Sequence, residues 1–325
     1  MELIKINRES GIPLVGAINF GVIDRGTNLI QVRATTACNL KCTYCSTNAN
    51  NSLVHPVNFE VEPSYLIDTV KEVIGFKSEP VECNIDSVGE PSAYTYIVEL
   101  VSGLKKMNNV SKISMQTNGS LLTPDKIKQL EAAGLDQINL SINGLSPVIA
   151  KSLSGTGFYS LDRILDTAKN ISASKIQLLL APVWIPKIND EEIPKVIQLA
   201  KELNAKIGIQ KYEEYKHSRK VKGAKIINYW KFYRQLKEWE KEFGIKLLCT
   251  NKDFGVHKSI RLPVVAEEGD KIAVKVLSHG WWKGQKLASY KGRCITIDHC
   301  NADIGNLIKI RITSNKNNIY LAELI

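Results

Sequence analysis

The sequence predicts an α/β architecture: six strand–helix repeats forming a parallel sheet, curled or open, followed by a small closed β-barrel of the OB-like kind. Two observations carry this. Between Leu29 and Gln210, apolar runs of strand length alternate with segments of helical period. Near Leu262 the pattern changes to five short alternating runs separated by glycine and asparagine turns.

The elements follow in order. Residues 1–28 contain the glycine-punctuated stretch GIPLVGAINFGVIDRGT, which reads as an extension packing on the sheet. LIQVRAT (29–35) alternates and reads as the first strand, and the polar stretch 46–58 as a loop. Helices are expected over 63–76, 95–107, 124–133, 161–171 and 191–203, and further strands over 81–87, 112–117, 137–142, 176–184 and 206–210. Thr123 as N-cap, Pro124 at the first position and Gly134 after the last turn delimit the helix 124–133. Residues 29–211 are thus the repeat core and 212–261 a basic helical connection. Within that connection, NYWKFYRQLKEWEKEF (228–243) is a basic, aromatic helix whose Trp230, Tyr233 and Leu236/Lys237 fit one face. That face either packs on the sheet or stays open as a stacking surface. Residues 262–325 form the barrel, from the runs KIAVKVL, KLASY, CITID, NLIKIRIT and NIYLAEL.

With 44% apolar and 23% charged residues, the chain can bury an ordinary core. It has no apolar run of about 18 residues that would span a membrane, and MELIKINRES lacks the features of a signal peptide. The expected location is the cytoplasm, with no membrane partner. Charge is uneven. Residues 1–204 carry 19 Lys and Arg against 21 Asp and Glu, and residues 205–325 carry 24 against 12, so the chain's +10 comes from its last third. Such asymmetry suggests a polyanion-binding half; the alternative is a lysine-rich solvated surface.

Three of the seven cysteines, Cys38, Cys42 and Cys45, lie in CNLKCTYC, directly after the first strand. Active sites of parallel α/β sheets lie at the carboxyl ends of strands. In a reducing compartment a compact set of cysteines reads as metal binding rather than as disulfides. An iron–sulfur cube normally takes four cysteines, so three leave one iron open to a ligand that is not protein. A zinc site is the alternative, but zinc usually takes four ligands, and His55 is the nearest further donor in sequence. Cys83, Cys249, Cys294 and Cys300 read as small buried residues; Cys294, Cys300 and His299 fall short of a full metal site.

CNLKCTYC, with Tyr44 before the third cysteine, resembles the radical S-adenosylmethionine (SAM) superfamily, and so does the order of motifs over residues 29–211. The resemblance implies a partial (β/α)6 TIM-like barrel, a [4Fe–4S] cluster on Cys38, Cys42 and Cys45, and SAM on the open iron. It also implies an electron donor and reductive cleavage of SAM to a 5′-deoxyadenosyl radical. Gly89-Glu90-Pro91 resembles the family's Gly-Gly-Glu motif, with Val88 in place of the first glycine; Glu90 would pair with the methionine ammonium. Asn118 in QTNGSLL, and Ser141 and Asn143 in NLSING, resemble contacts to SAM, though each also suits a turn. PVWIPKIND resembles a proline-glycine-asparagine loop with Lys187 in place of glycine; Asn189 and Asp190 there are candidate helix caps. Ile209 and Gln210 end the sixth strand, where the family meets the adenine. Asp86 shares a face with Asn84 by alternation and is a candidate catalytic residue; Cys83 and Ile85 lie on the other face.

GDKIAVKVLSHGWWKGQKLASY resembles the TRAM domain, a small RNA-binding barrel, with Trp281, Trp282 and Tyr290 as stacking faces among lysines. The whole chain resembles an archaeal family of radical SAM–TRAM proteins of unassigned reaction. The resemblance implies an enzyme that modifies a nucleotide in RNA, above all tRNA, after extruding it from its stack. The alternatives are a radical SAM enzyme acting on a small molecule, peptide or lipid, with the tail barrel as a cap, or a non-enzymatic RNA-binding protein with a structural cluster.

Overall fold

A computed structural model describes residues 1–325. In chain order its elements are β1 (Glu2–Ile6), β2 (Gly21–Asp24), β3 (Leu29–Arg33), β4 (Val57–Val61), α1 (Pro63–Gly75), β5 (Val81–Ile85), α2 (Ile97–Lys105), β6 (Val110–Thr117), α3 (Pro124–Ala133), β7 (Gln137–Leu140), α4 (Pro147–Ser154) and α5 (Leu161–Ser172). There follow β8 (Gln177–Leu180), β9 (Val183–Trp184), α6 (Glu192–Glu202), β10 (Lys206–Ile207), β11 (Gln210–Lys211) and α7 (Tyr229–Phe243). The tail holds β12 (Lys271–His279), β13 (Lys286–Tyr290), β14 (Arg293–Asp298), β15 (Leu307–Ser314) and β16 (Tyr320–Leu324). No helix is long and apolar enough to cross a membrane.

These elements form two compact units: Met1–Ala37, Asn50–Ile113 and His257–Ile325 in the first, Cys38–Ala49 and Ser114–Val256 in the second. In the first, β3 pairs in parallel with β5, and β2 lies antiparallel on its other side. Ile30, Val32, Cys83 and Ile85 point to one face and are fully buried, while Gln31, Arg33, Asn84 and the following Asp86 alternate onto the other. The stretch read as an extension holds β1 and β2, and the expected loop gives way at its end to β4, with which β1 pairs in parallel. A buried ion pair between Lys77 and Asp24, at 2.8 Å, holds the chain leading to the tail: Lys77 also donates to the Ile260 carbonyl, and Asp24 accepts from the Leu262 amide. Such a pair survives burial only when its remaining hydrogen bonds are made, as they are here.

The tail is a closed five-stranded barrel in the order β12-β13-β14-β16-β15. Its interior holds Val274, Ala288, Ile295, Ile297, Ile310, Ile312 and Tyr320. β12 and β15 alternate strictly, so that Lys271, Ala273, Lys275, Lys309 and Arg311 stay exposed.

In the second unit, β7 pairs in parallel with the end of β6 and with β8, and β10 with β8. The strands expected over 176–184 and 206–210 each break in two, at Ala181-Pro182 and Gly208-Ile209. Proline lacks the amide that a ladder requires, yet Gln210 N–H still donates to the Pro182 carbonyl, so the two short strands β9 and β11 resume the parallel pairing. Helix α4 is an addition to the elements the sequence predicts. On α7 the buried face is Phe232, Leu236 and Trp239, packed beside Trp184. Of the two readings of the Trp230–Tyr233 face, the open one holds for these two rings: they are offset from that stripe and exposed.

Candidate metal and cofactor site

Cys38, Cys42 and Cys45 sit in a loop of the second unit whose backbone is tied from several sides. Lys41 N–H donates to Ser154 O and Thr43 N–H to Leu153 O, at the end of α4. Gly155 follows that helix in a left-handed conformation, and a Cβ there would meet Lys41 O at 2.0 Å. Only glycine permits so close an approach. Within the loop, Cys45 N–H donates to Cys42 O and Asn48 N–H to Cys45 O.

Arg219 completes the clamp. Its amide donates to Cys45 O at 2.9 Å, and its guanidinium donates to Cys42 O at 3.2 Å and Ala49 O at 2.6 Å. Nothing in the motif announced this residue.

The three cysteine side chains are partly exposed, whereas Cys83, Cys294 and Cys300 are buried. Burial and the adjacent Cys45 push the Cys42 thiol up to about 11, against a downward pull from Arg219. Burial and Cys42 likewise raise the Tyr44 hydroxyl. As they stand, no three Cys, His, Asp or Glu side chains are grouped as metal ligands. The loop fixes the backbone of the cysteines.

The polar strand ends of this unit converge on the same loop. A cleft is lined by Leu40, Cys42, Tyr44, Asn118, Ser141, Asn143 and Tyr159, among others. Asn118, Ser120 and Asn39 form a closed hydrogen-bonded cycle: Asn118 Nδ2 donates to Asn39 Oδ1, Asn39 Nδ2 to Ser120 Oγ, and Ser120 Oγ to Asn118 Oδ1. Asn39 lies between Cys38 and Cys42, so the turn after β6 holds the cysteine loop directly. Asn143 donates to the Tyr44 hydroxyl and accepts from Val183 N–H. Ser141 accepts from Gln116 at 3.2 Å. Gln210 is exposed and Ile209 buried.

Asn189 and Asp190 do not cap α6 as expected: Glu191 is its N-cap, without a side-chain cap bond, and both side chains tie the preceding loop instead. Asn189 is buried; its side chain accepts from Ile185 N–H and donates to Asn143 O and Val183 O. Asp190 accepts from the Trp184 indole and from Lys187 N–H. Lys187, which stands where the family loop has glycine, has a φ of 71°.

Glu90, Gly89 and Asp86 belong to the first unit. Glu90 is 2% exposed and accepts from the amide and hydroxyl of Ser92, capping the turn Pro91–Ala93. Its own amide donates to Ala37 O at 2.8 Å. A Cβ at Gly89 would meet Ala37 O at 2.2 Å, so glycine is required there for packing. Ala37 is bonded to Cys38, so the turn bearing Glu90 grips the peptide leading into the cysteine motif. Asp86 forms a two-pronged ion pair with Arg33, each contact at 2.8 Å, and accepts from Gln31 at 2.6 Å. Arg33 also donates to Ile18 O.

Trp281 does not present the stacking face expected of it. It is 3% exposed, with its ring stacked on His55 at 3.8 Å; Trp282 lies 4.4 Å from the same His55 ring.

Comparison with known proteins decides the family. The model of the radical SAM superfamily matches residues 32–200. This chain belongs to the radical SAM superfamily. It is 40% identical to the uncharacterized protein MJ0103 of Methanocaldococcus jannaschii, over 97% of this chain and 79% of that one. It is 27% identical to the GTP 3′,8-cyclase of Clostridium perfringens strain SM101, over 54% of this chain and about half (52%) of the cyclase. Among solved structures, Streptococcus suis SuiB bound to S-adenosylmethionine aligns with a TM-score of 0.54 at 18% identity, covering 70% of this chain and 48% of SuiB. That likeness is one of fold and gives a TIM-like α/β core. Radical SAM proteins bind a [4Fe–4S] cluster and SAM, which are the cofactors of this chain, and such enzymes draw on an electron donor. The residues fit: three soft thiol donors on one pinned loop suit iron, and that loop supplies no fourth cysteine or histidine.

Proposed function

We propose that this radical SAM enzyme modifies a nucleotide in RNA, with tRNA as the principal substrate class. The observation that carries the reading is the outer face of the tail barrel. Lys271, Lys275, Lys309 and Arg311 are all exposed there, and Lys271 stands directly opposite Arg311 across the β12–β15 ladder. Like charges in register destabilise a sheet. Glu323 pairs with Arg311. A face of this kind suits a phosphate backbone, and residues 262–325 serve as a TRAM-like docking module.

Bound together, the cluster and SAM supply reductive carbon–sulfur cleavage and, from it, hydrogen-atom abstraction. Cys38, Cys42 and Cys45 hold the cluster. Glu90 takes the methionine ammonium, with Gly89 keeping its turn against Ala37. Tyr44, Asn118, Ser141 and Asn143, which line the cleft beside Cys42, would take the rest of SAM together with Gln210. Asp86, held by Arg33 and Gln31, is the candidate catalytic residue.

Binding of tRNA, measured across a salt series, tests the reading. Neutralising Lys271, Lys309 and Arg311 with glutamine is expected to weaken binding and to reduce the salt slope by about one for each phosphate no longer neutralised. Unchanged affinity and slope would sink it. Nucleoside mass spectrometry of tRNA from cells with and without the gene then identifies the product. A second reading, a small nucleotide as substrate, draws support from the likeness to the GTP 3′,8-cyclases over half their length. It predicts SAM turnover with nucleoside triphosphates in the absence of RNA.

A further inference from the structure

The second unit carries a strip that the reading above does not use. From Tyr215 to Lys237 the chain has eight basic residues, Lys216, Arg219, Lys220, Lys222, Lys225, Lys231, Arg234 and Lys237, and no acidic one. All but Arg219 are exposed. Four exposed aromatics are interleaved with them: Tyr215 at 58% exposure, Tyr229 at 56%, Trp230 at 64% and Tyr233 at 49%. The rings on α7 touch one another and neighbouring cations. Tyr229 and Tyr233 stack at 6.0 Å, Arg234 lies 4.7 Å over Trp230, and Lys211 lies 4.9 Å over Tyr229.

A merely solvated helix face has no need of three aromatic rings, and α7 already meets the core through Phe232, Leu236 and Trp239. The exposed rings are therefore surplus to folding. Rings alone would suit a protein partner, but an acid-free run of cations over 23 residues repels most protein surfaces other than acidic ones. Cations that follow a backbone, with rings on which bases stack, are what unpaired nucleic acid requires.

The strip is also joined to the chemistry. Arg219 lies within it and is the residue whose amide and guanidinium hold Cys42 O and Cys45 O. We infer that the Tyr215–Lys237 strip binds single-stranded RNA, with bases stacked on Tyr229, Trp230 and Tyr233, and leads the strand to the cysteine loop. This rests on the RNA reading and adds to it a distinct surface with a distinct preference, for unpaired bases rather than for backbone charge alone.

The test uses the full-length protein with two probes, a short oligouridylate and an RNA duplex of equal length, each titrated by anisotropy. Trp230→Ala and Tyr233→Ala are expected to weaken oligouridylate binding by roughly 5- to 150-fold each, the range that loss of one stacked base produces. Duplex affinity is expected to stay within about twofold, since a duplex offers no free base face. Tryptophan fluorescence quenching by oligouridylate is expected to disappear in Trp230→Ala. Circular dichroism checks that each variant is folded. Equal loss for both probes, or no loss for either, overturns the inference. If tRNA binds while these variants leave oligouridylate affinity unchanged, the RNA reading stands and this surface falls. If the wild type binds neither tRNA nor oligouridylate, both fall. If sedimentation shows that Trp230→Ala dissolves a dimer without changing RNA affinity, the strip is a protein interface and the inference is wrong.

Discussion

Two aromatic clusters in the basic part of the chain have opposite fates. Trp281 and Trp282 look like an open stacking surface in sequence, set between Gly280 and Gly284 in a lysine-rich turn. In the fold they close over His55, and the Lys283 amide donates to Val54 O beside it. Trp230 and Tyr233 share a face that in sequence suits packing as well as stacking, and with Tyr229 they stay outside. Composition is nearly the same in the two places. What differs is whether another apolar stripe already fills the neighbouring core. On α7, Phe232, Leu236 and Trp239 do so at i, i+4 and i+7. The turn between β12 and β13 has no such substitute, so Trp281 is buried there, with the half-buried Trp282 beside it.

The sharpest way to break this contrast is to remove one ring from each cluster and measure unfolding in denaturant. Trp281→Ala empties a buried site and is expected to cost about 3–5 kcal/mol. Trp230→Ala removes an exposed ring and is expected to change stability by about 0.5 kcal/mol or less. Comparable losses would mean that α7 relies on its outer rings for folding, and the case for a binding surface there would weaken.

His55 sharpens the comparison from inside. It is fully buried, and its Nδ1 lies 3.1 Å from Trp281 O. His55→Phe keeps a ring against Trp281 but leaves that carbonyl without this partner, at an expected cost of about 1–3 kcal/mol. A cost near zero would show that the stacked ring, and not the hydrogen bond, fixes the turn.

How far the sequence carried the fold depended on whether each element was locally determined. The helix 124–133 appears at its expected bounds, with Thr123 accepting from Lys126 N–H and Gly134 in the left-handed region, because cap and stop are local chemistry. The short alternating runs of the tail were legible for the same reason, since burial alternates residue by residue along β12 and β15. The pairing of β1 with β4 was not, since it joins Glu2 to Val57 across intervening strands. Arg219 was invisible: it acts on Cys42 through a carbonyl oxygen 177 residues away, and carbonyls carry no motif. Setting also decides at Lys187, where the family loop suggests glycine and the backbone has kept the left-handed conformation glycine would favour. Lys187→Gly is expected to relieve that strain. The left-handed conformation costs a non-glycine residue about 1–2 kcal/mol, partly offset by the entropy glycine loses on folding. A net gain of about 0.5–1 kcal/mol in thermal or denaturant unfolding would follow, and a loss would mean that the lysine side chain contributes more than its backbone costs.

The smallest expected effect asks whether the α7 rings are organised before any ligand arrives. Arg234 lies over Trp230 and also pairs with Glu238 at 3.8 Å, both of those charged side chains being more than half exposed. An exposed pair at that spacing contributes little, whereas a cation over an indole contributes about 0.5–1 kcal/mol even in water. A double-mutant cycle of Arg234→Met and Trp230→Ala separates the two. Coupling of about 0.5 kcal/mol in the free protein is expected, against a larger coupling for the matching cycle of His55→Ala and Trp281→Ala, where stacking and a hydrogen bond act together away from water. If Arg234 and Trp230 are uncoupled, the guanidinium is free of the ring in solution, and RNA must order that face as it binds. The affinity lost in Trp230→Ala would then fall toward the lower end of its range, because ordering the side chains opposes stacking.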